Sequence, residues 1–237
     1  MEINIHHVGG LGDCGPAERF KKLKANWIIY DASEGNLSVE KKENITYINR
    51  CLGDKDGEID FYEFINSSAN SIYPSNPDAY DYQWESSNIP VWGKWTQLKK
   101  KSKMKVNRFD TLKQELNLPD IDVLSMDCQG SEWNIMHSVS EEDWNNILFV
   151  ILEVEFAEIY LGQKLYPEVK EFLESKGFEL LEMGRIYYFH DEEKEFPCYA
   201  EPIFIKKREL VLKNQLEKYQ VLLNEHEKYI SPNSKQE

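Results

Sequence analysis

No run in this 237-residue chain approaches the roughly 20 consecutive apolar residues of a membrane-spanning helix, so no membrane span is expected. Cysteine is scarce and scattered. Cys14, Cys51, Cys128 and Cys198 form neither a CxxC pair nor a Cys/His cluster at ligand spacing, which argues against a zinc site or a disulfide scaffold. No catalytic metal is expected. Basic charge is also in short supply, with 28 Lys and Arg against 42 Asp and Glu, a formal net charge of −14. Such a field repels phosphate backbones, so nucleic acid is a poor partner. Met1-Glu2 opens no signal-peptide pattern, and with reduced thiols the expectation is a cytoplasmic protein.

What is present fits one sizeable α/β domain. Hydrophobic residues make up 41% and aromatics 13%, enough for a real core. Ile3 to Val8, Asn26 to Tyr30 and Ile45 to Arg50 read as strands, and Pro16 opens a helix running through Leu23. After the Asp56-Gly57 turn, Glu58 to Phe64 alternates as a strand. Residues 66–101 read as a long loop or lid, crowded with Tyr73, Tyr80, Tyr82, Trp84, Trp92 and Trp95. Those rings either stack on sugar faces or form a small satellite core. The basic run Lys99-Lys100-Lys101 with Lys103 reads as a solvated edge.

Val123 to Met126 and Ile147 to Val154 are apolar but for Ser125 and Glu153, as strands buried on both faces of a parallel sheet should be. One crossover helix is expected over residues 131–146, and another from Tyr166 to Lys176, stopped by Gly177. The late strands FELLEM, IYYFH and PCYAEPIFIKK suggest an antiparallel edge. The expected fold is therefore a doubly wound, mostly parallel α/β sheet with an antiparallel edge strand and a C-terminal helix. Residues 1–207 form the Rossmann-like domain, and residues 208–237 the helix and a disordered tail. Leu212, Leu216, Tyr219, Leu223, His226 and Ile230 step by fours and threes. That seam docks on its own domain or, in a sharper reading, makes a homodimer.

Two features point to a site. Residues 10–15, GLGDCG, fit G-x-G-x-x-G, and Asp31 ends the next strand, where an acid binds ribose hydroxyls. Nicotinamide dinucleotides and S-adenosylmethionine both carry such a ribose. Asp13, inside the turn, either disfavours a pyrophosphate and suits a cationic cofactor or caps the helix that Pro16 opens. The second feature is VLSMDCQGSEW, where a buried strand ends on Asp127. Either Asp127 caps the following helix, or it faces a cleft at the carboxyl end of the strand. Glu132 is expected to stabilise the first turn of that helix.

The block from Asp110 to Gly177 resembles the FkbM family of S-adenosylmethionine-dependent methyltransferases. The resemblance is carried by IDVLSMD running into CQGSEWNIMHSV, by VILEVEF with Glu153 at an acidic position, and by PEVKEFLESKGFEL. Upstream, CLGDKDGEIDFYEF and SSANSIYP resemble the family's hairpin and serine-rich turn. Two positions depart from the family pattern: His7 stands where an acid is usual, and Ser125 where a lysine is common. The resemblance implies a Rossmann-like class I methyltransferase that moves a methyl from S-adenosylmethionine to a hydroxyl of a glycan or secondary metabolite.

On this reading Gly9, Gly10, Gly12 and Asp13 approach the cofactor. Asp31 with Ala32 holds its ribose, Cys51 or Leu52 flanks the adenine, and Asp127 with Cys128 closes the wall. Asp127 and Glu153 are the catalytic candidates, Asp127 as base, cofactor contact or both; of Glu153 and Glu155, only one can face the cleft. Ser71 and Tyr73 are the candidates for the acceptor, with Ser67 and Ser68 beside them. His6 and His7 adjoin the glycine turn, and at most one can point toward it. The alternatives are a nicotinamide-dependent oxidoreductase, resting on GLGDCG and Asp31, and a non-catalytic interaction module using its C-terminal helix.

Overall fold

The computed structural model describes residues 2–9, 15–32, 37–84, 91–190 and 194–231. Its main element is an eight-stranded sheet. The strands are β1 (Ile3–Val8), β2 (Ala25–Asp31), β3 (Ser38–Lys42), β4 (Ile45–Asn49), β9 (Val123–Met126), β10 (Phe149–Leu152), β12 (Phe178–Glu182) and β15 (Ile203–Lys206). Their order is β12-β15-β10-β9-β1-β2-β4-β3. Five neighbours, β10-β9-β1-β2-β4, run parallel. On the flanks β3, β15 and β12 pair antiparallel. The sheet is thus mixed, which corrects the expectation of one antiparallel edge strand. At the β3–β4 end the cause is local. Glu43 turns the chain with φ 53°, and Lys42 pairs directly with Ile45.

Alternating side chains of the central strands sort into two cores, as the period of two demands. Ile28, Tyr30, Leu124, Met126, Val150 and Leu152 face one side. Trp27, Ile29, Val123, Phe149 and Ile151 face the other. The first core is covered by α2 (Phe109–Glu115), α3 (Glu132–Met136), α4 (Glu141–Asn146) and α5 (Tyr166–Ser175), through Phe109, Leu112, Ile135, Met136, Trp144, Val169 and Leu173. The second is covered by a 3-10 turn at Gly15–Phe20 and by α6 (Leu216–Ile230), through Phe20, Tyr219 and Leu222.

Two differences from the expected elements have clear causes. The helix over residues 131–146 is two short helices, because Ser138 and Ser140 intervene. Ser138 Oγ donates to the Ile135 carbonyl and accepts from Phe109 N–H, and Ser140 accepts from Asp143 N–H as a helix cap. The helix from Pro16 contracts to the 3-10 turn.

The described residues of the segment 66–101 do not form an open lid. It contributes β7 (Gln83–Trp84) and α1 (Trp92–Trp95), and it packs against a four-stranded sheet, β11-β14-β13-β7, built with β11 (Val154–Glu155), β13 (Ile186–His190) and β14 (Glu195–Ala200). Trp92, Tyr160, Phe189, Phe64 and Cys198 form a satellite core there, with Tyr82 and Trp95 against it. The basic run lies in β8 (Leu98–Arg108), which pairs with β6 (Gly57–Phe64) and, at its far end, with β5 (Cys51–Gly53). There Lys101 and Lys103 both reach Asp60, and Lys100 reaches Glu63.

Along α6 the buried residues are Tyr219, Leu222 and His226, while Ile230 is half exposed. Lys218 anchors the helix by two bonds of 2.8 and 2.9 Å to Asp122, which also accepts from Asn4 N–H. Arg19 lies 3.1 Å from His226 and 3.4 Å from Glu182. The helix therefore docks on its own domain. No helix among the described residues is long and apolar enough to cross a membrane.

Candidate active site

The carboxyl ends of β1, β2, β4 and β9 open into a cavity of about 380 Å³, within the range of roughly 300–1,000 Å³ typical of small-molecule sites. Gly9, Asp31, Ala32, Arg50, Cys51, Leu52, Asp127 and Cys128 line it from the sheet, and Phe61, Ser67, Ser68, Ser71 and Ile72 from the hairpin side. Seven of the expected cofactor residues thus line one cavity. Gly10, Gly12 and Asp13 lie outside the described residues.

Gly9 ends β1 with φ +96°, and its N–H donates to the Tyr30 carbonyl. A Cβ there would lie 1.8 Å from the Asp127 carbonyl oxygen. Only glycine lets β1 turn so close to the end of β9. Asp127 N–H in turn donates to the Val8 carbonyl, which fixes the two strand ends side by side. Beyond Asp127, Gln129 and Gly130 both take positive φ, 53° and 89°. This double left-handed step returns the Gln129 amide over the strand ends.

Gln129 is the hub that sequence reasoning missed. Its Nε2 donates to Asp127 at 2.9 Å and to Glu153 at 3.0 Å, and its Oε1 accepts from Tyr160 OH at 3.0 Å. Its carbonyl accepts from Ser71 Oγ at 2.7 Å. Glu153 reaches this point because the chain changes sheets there: β10 pairs with β9 up to Leu152, and β11 then pairs with β14. The Gln-Gly pair was legible as a turn, but the amide's role was not.

Carboxyl groups concentrate here. Burial first, then Asp127 and Glu155, push the Glu153 carboxyl well above its usual range. Burial and Glu132 do the same to Glu155. Glu132 is raised to about 7 by burial, despite accepting the Cys128 N–H. Its side chain folds back into the turn before α3 rather than lying along the helix start at the surface. At the N-cap position stands Ser131, whose hydroxyl donates to the Cys128 carbonyl. Burial raises the Asp31 carboxyl, opposed by a hydrogen bond from the Ala32 backbone. Burial also pushes the Cys51 thiol up to about 12 and the Cys128 thiol well above its usual value, so both line the cavity as neutral groups, not nucleophiles.

Ser71 sits in the cavity wall, but its hydroxyl is engaged, since it also accepts from Tyr73 N–H. Tyr73 lies outside the wall, its hydroxyl 2.6 Å from Asn134. His6 and His7 are both buried away from the cavity. His6 Nδ1 is 2.8 Å from Tyr30 OH, and His7 Nδ1 is 3.0 Å from Ser125 Oγ. His7 and Ser125 are the two positions that depart from the family pattern, and they are cross-strand partners in β1 and β9. Among the described residues no cluster of three or more His, Cys, Asp or Glu is arranged to hold a metal ion.

The Methyltransferase FkbM domain profile matches residues 14–180. The chain belongs to the FkbM methyltransferase family. It is 25% identical over 187 residues to a protein named 2-O-methyltransferase NoeI from Sinorhizobium fredii (strain NBRC 101917 / NGR234), covering 73% of this chain and 71% of that one. No solved structure matches the chain. The family match spans the hairpin, the Asp127 turn and Glu153, the elements that build the cavity and its acidic end.

Proposed function

We propose that the chain is an S-adenosylmethionine-dependent O-methyltransferase acting on a hydroxyl of a glycan or secondary metabolite. The carrying observation is the cavity at the parallel strand ends, pinched at Gly9 against Asp127 and walled by Asp31. The residues fit the cofactor. Gly9 leaves room for close approach, Asp31 is poised to accept from two ribose hydroxyls, and Cys51 and Leu52 offer a neutral wall to the adenine. The carboxyl groups gathered around Asp127, which a cation would help to ionise, suit a ligand with positive charge at that end and disfavour a pyrophosphate, which speaks against the oxidoreductase alternative. The name of the Sinorhizobium relative supports a hydroxyl acceptor.

S-adenosylmethionine supplies a methyl on a positively charged sulfur that needs no Lewis acid. The protein's task is to align the acceptor oxygen with that methyl and to take the hydroxyl proton. Asp127 is the group for the proton. Gln129 donates to its carboxylate and holds it in place. With the cofactor bound in this cavity, its methyl would be supplied to the acceptor oxygen, and Asp127 would take the hydroxyl proton. Residues 1–207 constitute the catalytic domain in this proposal, with 208–237 as its C-terminal helix and tail, acting in the cytoplasm.

Titration calorimetry with S-adenosylmethionine, S-adenosylhomocysteine and NAD tests the cofactor. We expect binding of the first two, weakened in Asp31→Ala by up to about 1.5–3 kcal/mol per lost charged hydrogen bond. Binding of NAD alone would reverse the choice.

A further inference from the structure

The strand order sets the cavity's polarity. Asp127 follows β9, Gly9 follows β1, Asp31 ends β2 and Arg50 follows β4, so Asp127 and Arg50 stand at opposite ends of the row. Arg50 N–H is bonded to the Asp31 carbonyl at 2.9 Å. Its side chain lines the cavity and is only 8% exposed. Yet among the described residues the guanidinium has no hydrogen-bond or ion-pair partner, and its Nε is sealed from solvent with none. A buried guanidinium is ordinarily paired, because desolvating it without acceptors is expensive. Glu63, Asp60 and the Asp127 cluster all find other partners. Among the described residues none is left to satisfy Arg50, and a group that enters the cavity can do so.

We propose that Arg50 is a ligand-binding residue, donating to the ring-nitrogen and ribose-oxygen acceptors of a purine nucleoside whose opposite end carries positive charge toward Asp127. This rests on the methyl-donor reading above. The neighbours select the ligand class. The Asp31 carboxylate in the same cavity lining repels a phosphate or carboxylate but accepts from sugar hydroxyls. Leu52, Phe61 and Ile72 give a flat ring apolar walls. A group with hydroxyl donors, ring acceptors and an apolar face meets all three demands, and the guanidinium fork matches planar acceptors where an ammonium does not.

The test is calorimetry with S-adenosylhomocysteine and with adenosine on wild type, Arg50→Met and Arg50→Lys, together with melting of each ligand-free protein. Arg50→Met is expected to bind both ligands roughly 10- to 100-fold more weakly, with Arg50→Lys between. Ligand-free Arg50→Met is expected to melt no lower than wild type, since an unpaired buried charge has been removed. Wild type that binds neither ligand defeats the methyl-donor reading itself. Wild type that binds both, with Arg50→Met binding equally well, overturns the role of Arg50 alone. Ligand-free melting that falls sharply in both variants marks a structural arginine and overturns it as well.

Discussion

The place a Cβ of residue 9 would occupy lies 1.8 Å from the carbonyl oxygen of Asp127. The ends of β1 and β9 are therefore in backbone contact where both line the cavity. Gly9→Ala must both strain a φ of +96° and part the two strand ends. The expected loss of stability is about 2–5 kcal/mol, from backbone strain plus overpacking. Denaturant unfolding reads it directly, and an unchanged midpoint would show that the strand ends yield freely.

Asp127→Asn separates chemistry from architecture. The amide keeps the shape and part of the hydrogen bonding but accepts no proton. Folding and binding of S-adenosylhomocysteine should persist, while methyl transfer to a hydroxyl acceptor falls by roughly 100- to 10,000-fold. Normal turnover with early melting would make Asp127 a structural residue.

Glu132 gives a pH dependence of defined sign. Burial raises its carboxyl from an ordinary 4.5 to about 7, so the unfolded chain releases this proton first as pH rises. Its contribution is fully present below about 4.5, falls as pH rises through 7 and is then gone, a loss on the order of 3 kcal/mol. Glu153 and Glu155, raised by burial as well, act in the same direction. Glu132→Gln keeps an acceptor for the Cys128 N–H and removes the ionisation. The variant should lose less stability than wild type between pH 5 and pH 8. A parallel loss in the two proteins would rule Glu132 out as a source of the slope.

Lys218 tests the docking of α6. Lys218→Met leaves the Asp122 carboxylate buried with the Asn4 N–H as its one remaining partner named above, a cost of about 1–3 kcal/mol. Equilibrium unfolding should show it at any protein concentration. A midpoint that rises with concentration would instead indicate that the helix serves a second copy.

The strands that build the cavity were legible because their signals are local. Ile3 to Val8 and Val123 to Met126 are short runs bounded by Gly9 and Asp127, and both occur as read. Strand β3 escaped because Ser38–Lys42 is polar and exposed, and its turn uses Glu43-Asn44 instead of the Asn-Gly that marks tight hairpins. The split of residues 131–146 hid in Ser138, whose bond to Phe109 spans 29 positions. At the site, strand ends and glycines were readable from spacing. Gln129, Tyr160 and Arg50 were not, since each matters through a partner, or the lack of one, that only tertiary packing reveals. Glu132 was read as a helix-start acid by position, and burial gives it a different energetic sign.

Strand β15 lies between β12 and β10, and beside it β10 abuts the strand that ends in Asp127. The last strand made is thus inserted into the interior of the sheet, not added to its rim. During synthesis the hydrogen-bonding flank of β10 waits until residue 206 has emerged, and the face later covered by Tyr219 and Leu222 waits longer still. For that interval the nascent chain exposes Phe149 and Ile151 beside an unpaired strand flank, the kind of surface that chaperones hold and that aggregation exploits. Slow translation over the final segment would lengthen that exposure.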